Sequence, residues 1–371
     1  MLHLLTVAIV LLVLALPARA EIPPAGAEAE FSTDFTHHTV PYDEIQSGGP
    51  PKDGIPAIDD PRFVDVRRAG TWLDAREPVV RVQAGGEVRA YPLQILIWHE
   101  IANDTVGGVP LAVTFCPLCN TAIAFRRELN GQVLDFGTTG RLRFSNLIMY
   151  DRQSETWWQQ ADGRGIVGRH AGRRLAPYPA DIVSWDAFRQ AHPQAKVLSR
   201  ETGYVRDYGR NPYVGYDDID QPPFLYQGPP TPETMPPMAR VLTLEVGDEA
   251  VAYPYAALRD QRLVNDTVGG IPVLVLWVDG TASALDRGRI AHGRNAGMAL
   301  AYERRLNDQV LSFLFEGDRL TDAQTGTHWD VLGQAEDGPL AGRELAPMVA
   351  INHFWFSWAA FRPDTRIFVP E

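Results

Sequence analysis

The sequence predicts an α+β protein, rich in sheet, made of two tandem copies of one mixed module. Three observations lead there. The stretch EVRAYPLQILIWHEIANDTVGGVP, from Glu87, returns as EAVAYPYAALRDQRLVNDTVGGIP, from Glu249, at an ungapped offset of 249 − 87 = 162. Short apolar runs bounded by Gly, Asn and Pro recur in both copies, the pattern of strands and turns. Helical spacing is confined to brief runs such as PLQILIWHEIAND and SWDAFRQAHP. A period this long marks duplicated domains, not a solenoid of short repeats.

At the N-terminus, the apolar run of MLHLLTVAIVLLVLALPARAE ends at Leu16, before the small-x-small pattern Ala18-Arg19-Ala20. It is shorter than the roughly 20 residues of a membrane span. Residues 1–20 therefore read as a secretory signal peptide cut after Ala20. The start holds His3 but no Lys or Arg, so an uncleaved anchor is the alternative. The expectation is a periplasmic or secreted protein, without a membrane span after cleavage, whose thiols meet oxidising conditions. Residues 21–77 form an N-terminal segment that closes on the Gly/Pro-rich loop SGGPPKDGIPAIDDP. Module one is 78–200. It starts with a hairpin about Gly85-Gly86, then a short helix after Pro92, then a Gly turn and an apolar strand ending at Cys116. A second hairpin turns at Asn130-Gly131, and RFSNLIMYD reads as a further strand. Residues 201–239 are rich in Pro, Gly and Tyr, have no helical period, and read as a connection. Module two is 240–371. There ERRLNDQVLSF, from Glu303, answers RRELNGQVLDF, from Arg126, and AGRELAP, from Ala341, answers AGRRLAP, from Ala171.

Composition is that of a globular chain, and 371 residues suggest about two domains. The net charge of −12, without a basic stripe, argues against nucleic acid and anionic membrane surfaces as partners. No G-x-S-x-G elbow, phosphate loop or H-E-x-x-H is present.

A duplicated chain carries its own control, because framework residues persist in both copies. Asp151 persists as Asp322 and Trp158 as Trp329, which favours framework roles. Other residues do not persist. At the offset of 162, Cys116 faces Val278, Cys119 faces Thr281, His99 faces Gln261, Trp98 faces Asp260 and Glu100 faces Arg262. Arg152 faces Ala323 and Gln160 faces Val331. Ten residues separate Gly140 from Asp151 but only four separate Gly317 from Asp322, so Ser145 and Met149 have no counterparts. These losses point to one site, in module one, with module two a degenerate structural copy. Simple drift is the alternative, since free cysteine often acts as a small buried hydrophobe.

The chain has two cysteines, in VTFCPLCNTA. A bridge across two residues constrains the unfolded chain little, so the pair asks for redox or metal chemistry. As a redox centre, Cys116 and Cys119 would close and reopen a disulfide, with His99 supplying a cation or shuttling the proton. Pro117 follows the first cysteine and a strand follows the second, unlike thioredoxin. As a metal centre, His99, Cys116 and Cys119, with Met149 as a soft fourth ligand, would suit copper, or zinc with an open water position. Asn120 in place of His rules out covalent haem attachment. Lys52 and Asp53 sit on a loop that could lid the site or merely cross over the sheet. His37-His38 could bind metal or simply stand exposed. A third reading is a non-catalytic binding scaffold with the cysteines as a local clip.

The motifs SGGPPKDGIPAID, AYPLQILIWHEIANDTVGG, FCPLCNTAIAF and LIMYDRQSETWWQQ together resemble a bacterial family known as domain of unknown function 3179. The resemblance runs from about Val40 onward. Some members are described as selenoproteins, with selenocysteine in the CxxC-like motif. That implies redox chemistry at Cys116 and Cys119. Asn120 stands where the family tends to have Gly, which loosens the expectation of a strict metal-knuckle turn. The partner is an unidentified small molecule or a redox partner protein. The Gly107-Gly108 turn lets the strand ending at Cys116 fold back beside the helix. The His99 ring is therefore expected within direct or one-water reach of a cysteine sulfur.

Overall fold

The computed structural model describes residues 22–370, so the expected signal peptide and its cleavage site lie outside the described residues. Strands dominate, and the helices are short: Leu93–His99, Trp185–Ala191 and Tyr255–Gln261 have seven residues each. No helix among the described residues is long and apolar enough to cross a membrane.

Three large sheets and a two-stranded hairpin, Glu128–Leu129 with Gln132–Val133, build the first half. One has the order Asp181–Ser184, Pro78–Ala84, Glu87–Pro92, Lys196–Leu198, Phe63–Asp65. The second runs Pro177–Tyr178, Thr121–Arg126, Val109–Cys116, Ile101–Val106. The third runs Ile45–Ser47, Phe136–Arg143, Asn146–Asp151, Trp157–Gln159, Gly165–Val167. In the second half, a four-stranded sheet runs Ala350–Phe354, Arg240–Val246, Glu249–Pro254, Arg366–Ile367. Two three-stranded sheets join it: Leu263–Val268, Ile271–Val278, Met298–Glu303, and Phe313–Glu316, Arg319–Asp322, His328–Trp329. Residues 201–239 carry neither helix nor strand.

The shared motifs do the same physical work in each half. In both NDTVGG turns the two glycines take positive φ, 52° and 82° at Gly107 and Gly108, 54° and 78° at Gly269 and Gly270. A two-residue turn of this hand requires that, and a Cβ on Gly107 would meet the Ala84 carbonyl oxygen at 2.0 Å. The Asn103 side chain closes a pair of hydrogen bonds with the Phe136 backbone, 2.8 and 2.9 Å. Asn265 does so with Phe313 at the same distances. Tyr91 donates to Asp104, and Tyr253 to Asp266. The indole of Trp158 donates to Asp151 and that of Trp329 to Asp322, as their persistence predicts for framework residues.

The halves are not separable beads. One apolar cluster runs from Val79, Trp185 and Phe188 to Leu274, Leu300 and Trp329. Inside this seam lies Arg81, 3% exposed, paired with buried Asp181 at 2.6 Å. The same guanidinium donates to the Leu332 carbonyl at 3.0 Å and the Tyr302 hydroxyl at 3.2 Å. Removing Arg81 strands the Asp181 carboxylate in the interior. Arg81→Ala should lower the stability of both halves together by about 3–5 kcal/mol, read as one shifted transition in urea unfolding.

Candidate functional site

The dithiol sits where two strands meet. Cys116 ends Val109–Cys116, Pro117–Cys119 make one 3-10 turn, and Thr121–Arg126 runs back antiparallel. Proline suits the first position of such a turn, where no N–H is needed. Asn120 exits with φ 52° and ψ 38°, the left-handed conformation that Asn accepts more readily than most residues. The geometry points both sulfurs to one side. They are 3.1 Å apart and are free thiols, whereas a disulfide bond is about 2.05 Å.

A buried polar frame holds them. The Cys116 thiol donates to the Cys119 sulfur, and Cys119 donates to the Ser145 carbonyl at 3.4 Å. The Asn146 amide donates to the Cys119 sulfur at 3.2 Å. Asn146 is fixed in turn by Gln160, Gln159 and the Ala161 N–H at 3.0, 2.6 and 3.0 Å. Gln160 also donates to the Thr114 hydroxyl and the Thr121 carbonyl. Phe144 and Ser145 both take positive φ, 54° and 63°. That tight turn, built without glycine, aims the Ser145 carbonyl at the sulfurs. Met149 packs in the same apolar cluster as both cysteines.

From below, Thr121 links the cysteine turn to the second half. Its hydroxyl donates to the Cys119 carbonyl at 3.0 Å and lies 2.8 Å from His353 Nδ1. Burial pushes the His353 ring down to about 3, so it is neutral. From above, the connection closes the site. Tyr213, Tyr216 and Leu225 pack on the dithiol cluster, and the Tyr216 hydroxyl donates to the Leu118 carbonyl at 2.9 Å. Exposure falls to 2% at Cys116 and 0% at Cys119.

Glu100 is the ionisable neighbour. It caps the helix Leu93–His99 with φ 58°, and its carbonyl accepts the Phe115 N–H at 2.7 Å, one residue before Cys116. Burial pushes its carboxyl up to about 8. The Cys116 thiol is pushed well above its usual range by burial, by its hydrogen bond to Cys119, and by the charges of Cys119 and Glu100. This closed dithiol is held protonated at Cys116.

Several expectations need correcting. The His99 ring does not turn to the sulfurs. Its Nδ1 faces the Pro56 carbonyl at 2.7 Å and its Nε2 the Tyr208 hydroxyl at 2.7 Å. The carbonyl makes Nδ1 the donor and Nε2 the acceptor of a neutral ring, and burial pushes the ring down to about 4. His99 therefore supplies no cation to lower a thiol pKa. Nor do His99, Cys116, Cys119 and Met149 assemble as a copper or zinc set. Among the described residues no group of three or more His, Cys, Asp or Glu is placed to hold a metal ion. Lys52 and Asp53 bind elsewhere. Lys52 pairs with Glu155 over the rings of Phe31 and Tyr150. Asp53 and Asp59 hold Arg152 at 3.0 and 3.2 Å, beside a cleft of about 430 Å³ that Tyr204 and Arg206 also line. Trp98 packs on an apolar core to which both halves contribute. His37 pairs with Asp34, and His38 bonds the Val40 carbonyl.

The structure thus brings together Cys116, Cys119, Ser145, Met149, Gln160 and Glu100. It adds Asn146, Tyr213, Tyr216 and His353, which sequence reasoning missed. Asn146 lay within RLRFSNLIMY, most of which the second half lacks. The family model described as Protein of unknown function (DUF3179) matches residues 52–365, from Lys52 through the cysteine turn and the connection to Thr365. The chain belongs to the DUF3179 family. No curated protein and no solved structure matches it.

In this DUF3179 protein the buried carboxyl of Glu100 makes stability depend on pH. Its folded pKa, about 8, lies above its ordinary 4.5. The folded state therefore binds the proton more tightly, and the contribution to stability is complete below 4.5 and lost as pH rises through about 8. Glu100→Gln should match wild type near pH 4 and gain on it progressively up to about pH 8, as urea midpoints across that range will report.

Proposed function

We propose that this DUF3179 protein is an extracytoplasmic thiol redox protein that cycles Cys116 and Cys119 between dithiol and disulfide. One observation carries the reading: two free thiols lie 3.1 Å apart, held by a fully buried frame of Asn146, Gln159 and Gln160. Placing two sulfurs in reach of bond formation lowers the entropic cost of closing the disulfide. On oxidation the S–H bonds break and one S–S bond forms. Two protons and two electrons pass to an acceptor, either a small-molecule oxidant or the disulfide of a partner protein. Two donors, the Cys116 thiol and the Asn146 amide, converge on the Cys119 sulfur.

The leader-like pattern of residues 1–20 supports a periplasmic or secreted setting. We read the halves as duplicated modules, 78–200 and 240–371, of which the second has lost the chemistry. The repeated Asn, Tyr–Asp and Trp–Asp hydrogen bonds support that reading. The copper or zinc reading is left without support from the site, because both nitrogens of His99 are engaged elsewhere.

Equilibration in glutathione redox buffers tests the proposal. One reversible two-electron transition is expected, absent in Cys116→Ser and Cys119→Ser and intact in Thr281→Ala and Gln261→Ala. A protein that never forms the Cys116–Cys119 disulfide across the glutathione range sinks the reading. Asn146→Ala removes a donor from the reduced state, worth about 1 kcal/mol. The midpoint should then move roughly 20 mV more negative.

A further inference from the structure

The two halves meet without filling the space beside the strand that leaves the cysteine turn. On Thr121–Arg126, Ile123 and Phe125 share one face, because side chains alternate along a strand. In the second half, Thr243 and Ile351 are cross-strand partners. These four residues line one cavity of about 360 Å³, to which Leu175 and Trp358 add further wall. Ile123, Phe125 and Leu175 are 2% exposed or less, and Trp358 5%. The polar groups on these walls are already used. Thr243 donates to the Ile351 carbonyl at 3.1 Å, and the Trp358 indole to the Thr365 hydroxyl at 2.7 Å. Water in such a space finds few partners, so an apolar guest that displaces it gains. Volume and lining are those of a small-molecule site, and a boundary between domains is where such sites recur.

The cavity reaches solvent at Arg174, Ala176, Glu245 and Gly247, which line it and are exposed. Charge at this mouth leans toward base. Arg362 grips both oxygens of Glu245 at 2.9 Å. Arg164 faces Asp162 at 3.3 Å. Arg174 is left with a second claim on Glu245, at 3.5 Å, and a bond from its Nε to the Asp162 backbone carbonyl at 2.9 Å. Three guanidinium groups thus share two carboxyls. Burial pushes the Asp162 carboxyl up, which weakens the acid side further. The exposed sequence neighbours, Arg126 and Arg173 against Asp248, tilt the balance the same way. An anion set against Arg174 gives this guanidinium the charge-assisted partner it lacks.

We propose that this cavity binds a single-chain anionic amphiphile, a fatty-acid-like molecule. Its tail lies among Ile123, Phe125, Ile351 and Trp358, and its carboxylate meets Arg174 at the mouth. At about 30 Å³ per water-sized group, the space suits a chain of roughly ten to twelve carbons. A neutral guest of the same length fills the walls but leaves Arg174 without its partner. A cationic head is set against like charge. Binding here needs no redox step, so it stands or falls separately from the proposed function of the thiols.

Decanoate, decanol and decyltrimethylammonium share one tail and differ only in the head. Each is titrated calorimetrically into the full chain, below its micelle concentration. Decanoate should bind one per chain, decanol about tenfold more weakly, and the cation more weakly still. Arg174→Gln should bring decanoate down to the level of decanol and leave decanol unchanged. Val349 and Ala176 line the cavity from opposite halves. Val349→Trp and Ala176→Trp should each abolish binding of decanoate and of decanol, with urea unfolding showing that the variants are folded. No decanoate binding to wild type, several decanoates per chain, or undiminished binding by a folded tryptophan variant overturns the site. Decanol or the cation binding as tightly as decanoate, or Arg174→Gln binding decanoate as wild type does, overturns the anionic head.

Discussion

The Asn146 amide is the interaction on which the dithiol site depends. A sulfur is a weak hydrogen-bond partner, so two buried thiols cannot organise their own surroundings. Asn146 does it for them. Its nitrogen serves both the Cys119 sulfur and Gln160, and its oxygen accepts from Gln159 and Ala161. Gln160 carries the network to Thr114 and Thr121, the residues that flank the cysteine turn on its two strands. Each of these amides is fully buried. Losing one partner would leave others unsatisfied, at about 1–3 kcal/mol apiece. The position of the sulfurs is thereby locked to the pairing of Asn146–Asp151 with Trp157–Gln159, in a different sheet from the cysteines.

That lock has a chemical consequence. The same burial that fixes the sulfurs keeps Cys116 protonated and its neighbour Glu100 close to neutral at physiological pH. A closed site of this kind shields its thiols from reagents in solvent. Tyr213, Tyr216 and Leu225 of the connection pack on the same apolar cluster as the two cysteines.

The second half is more than ballast. It presents His353 beneath the cysteine turn, and its Arg240 and Arg294 hold Asp217 of the connection. The shared apolar seam and the Arg81–Asp181 pair inside it make the halves one cooperative body. A half that lacks the thiols still braces their surroundings, through His353 at Thr121 and the two arginines on Asp217.

Much of this was legible in the sequence. Period-two apolar runs and the Gly-Gly and Asn-Gly turns announced sheets and hairpins, because turn geometry and strand alternation are local properties. Comparison of the similar stretches in the two halves singled out Cys116, Cys119, Ser145, Met149, Gln160, Glu100, His99, Trp98 and Arg152; the first six lie together in the structure, whereas Trp98 and Arg152 pack elsewhere. His99 was placed wrongly for a physical reason. Sequence distance put it beside Cys116, but the direction of a ring at a helix end is decided by what hydrogen-bonds it, here Pro56 and Tyr208 from remote segments. The same holds for Asn146, Tyr216 and His353, whose partners lie 27, 98 and 232 residues away. The sequence by itself determined the sheet-rich class, the family and the thiol pair, which rest on local pattern. Only the tertiary structure decided which groups surround the thiols and what covers them, because buried hydrogen bonds are satisfied in space and not along the chain.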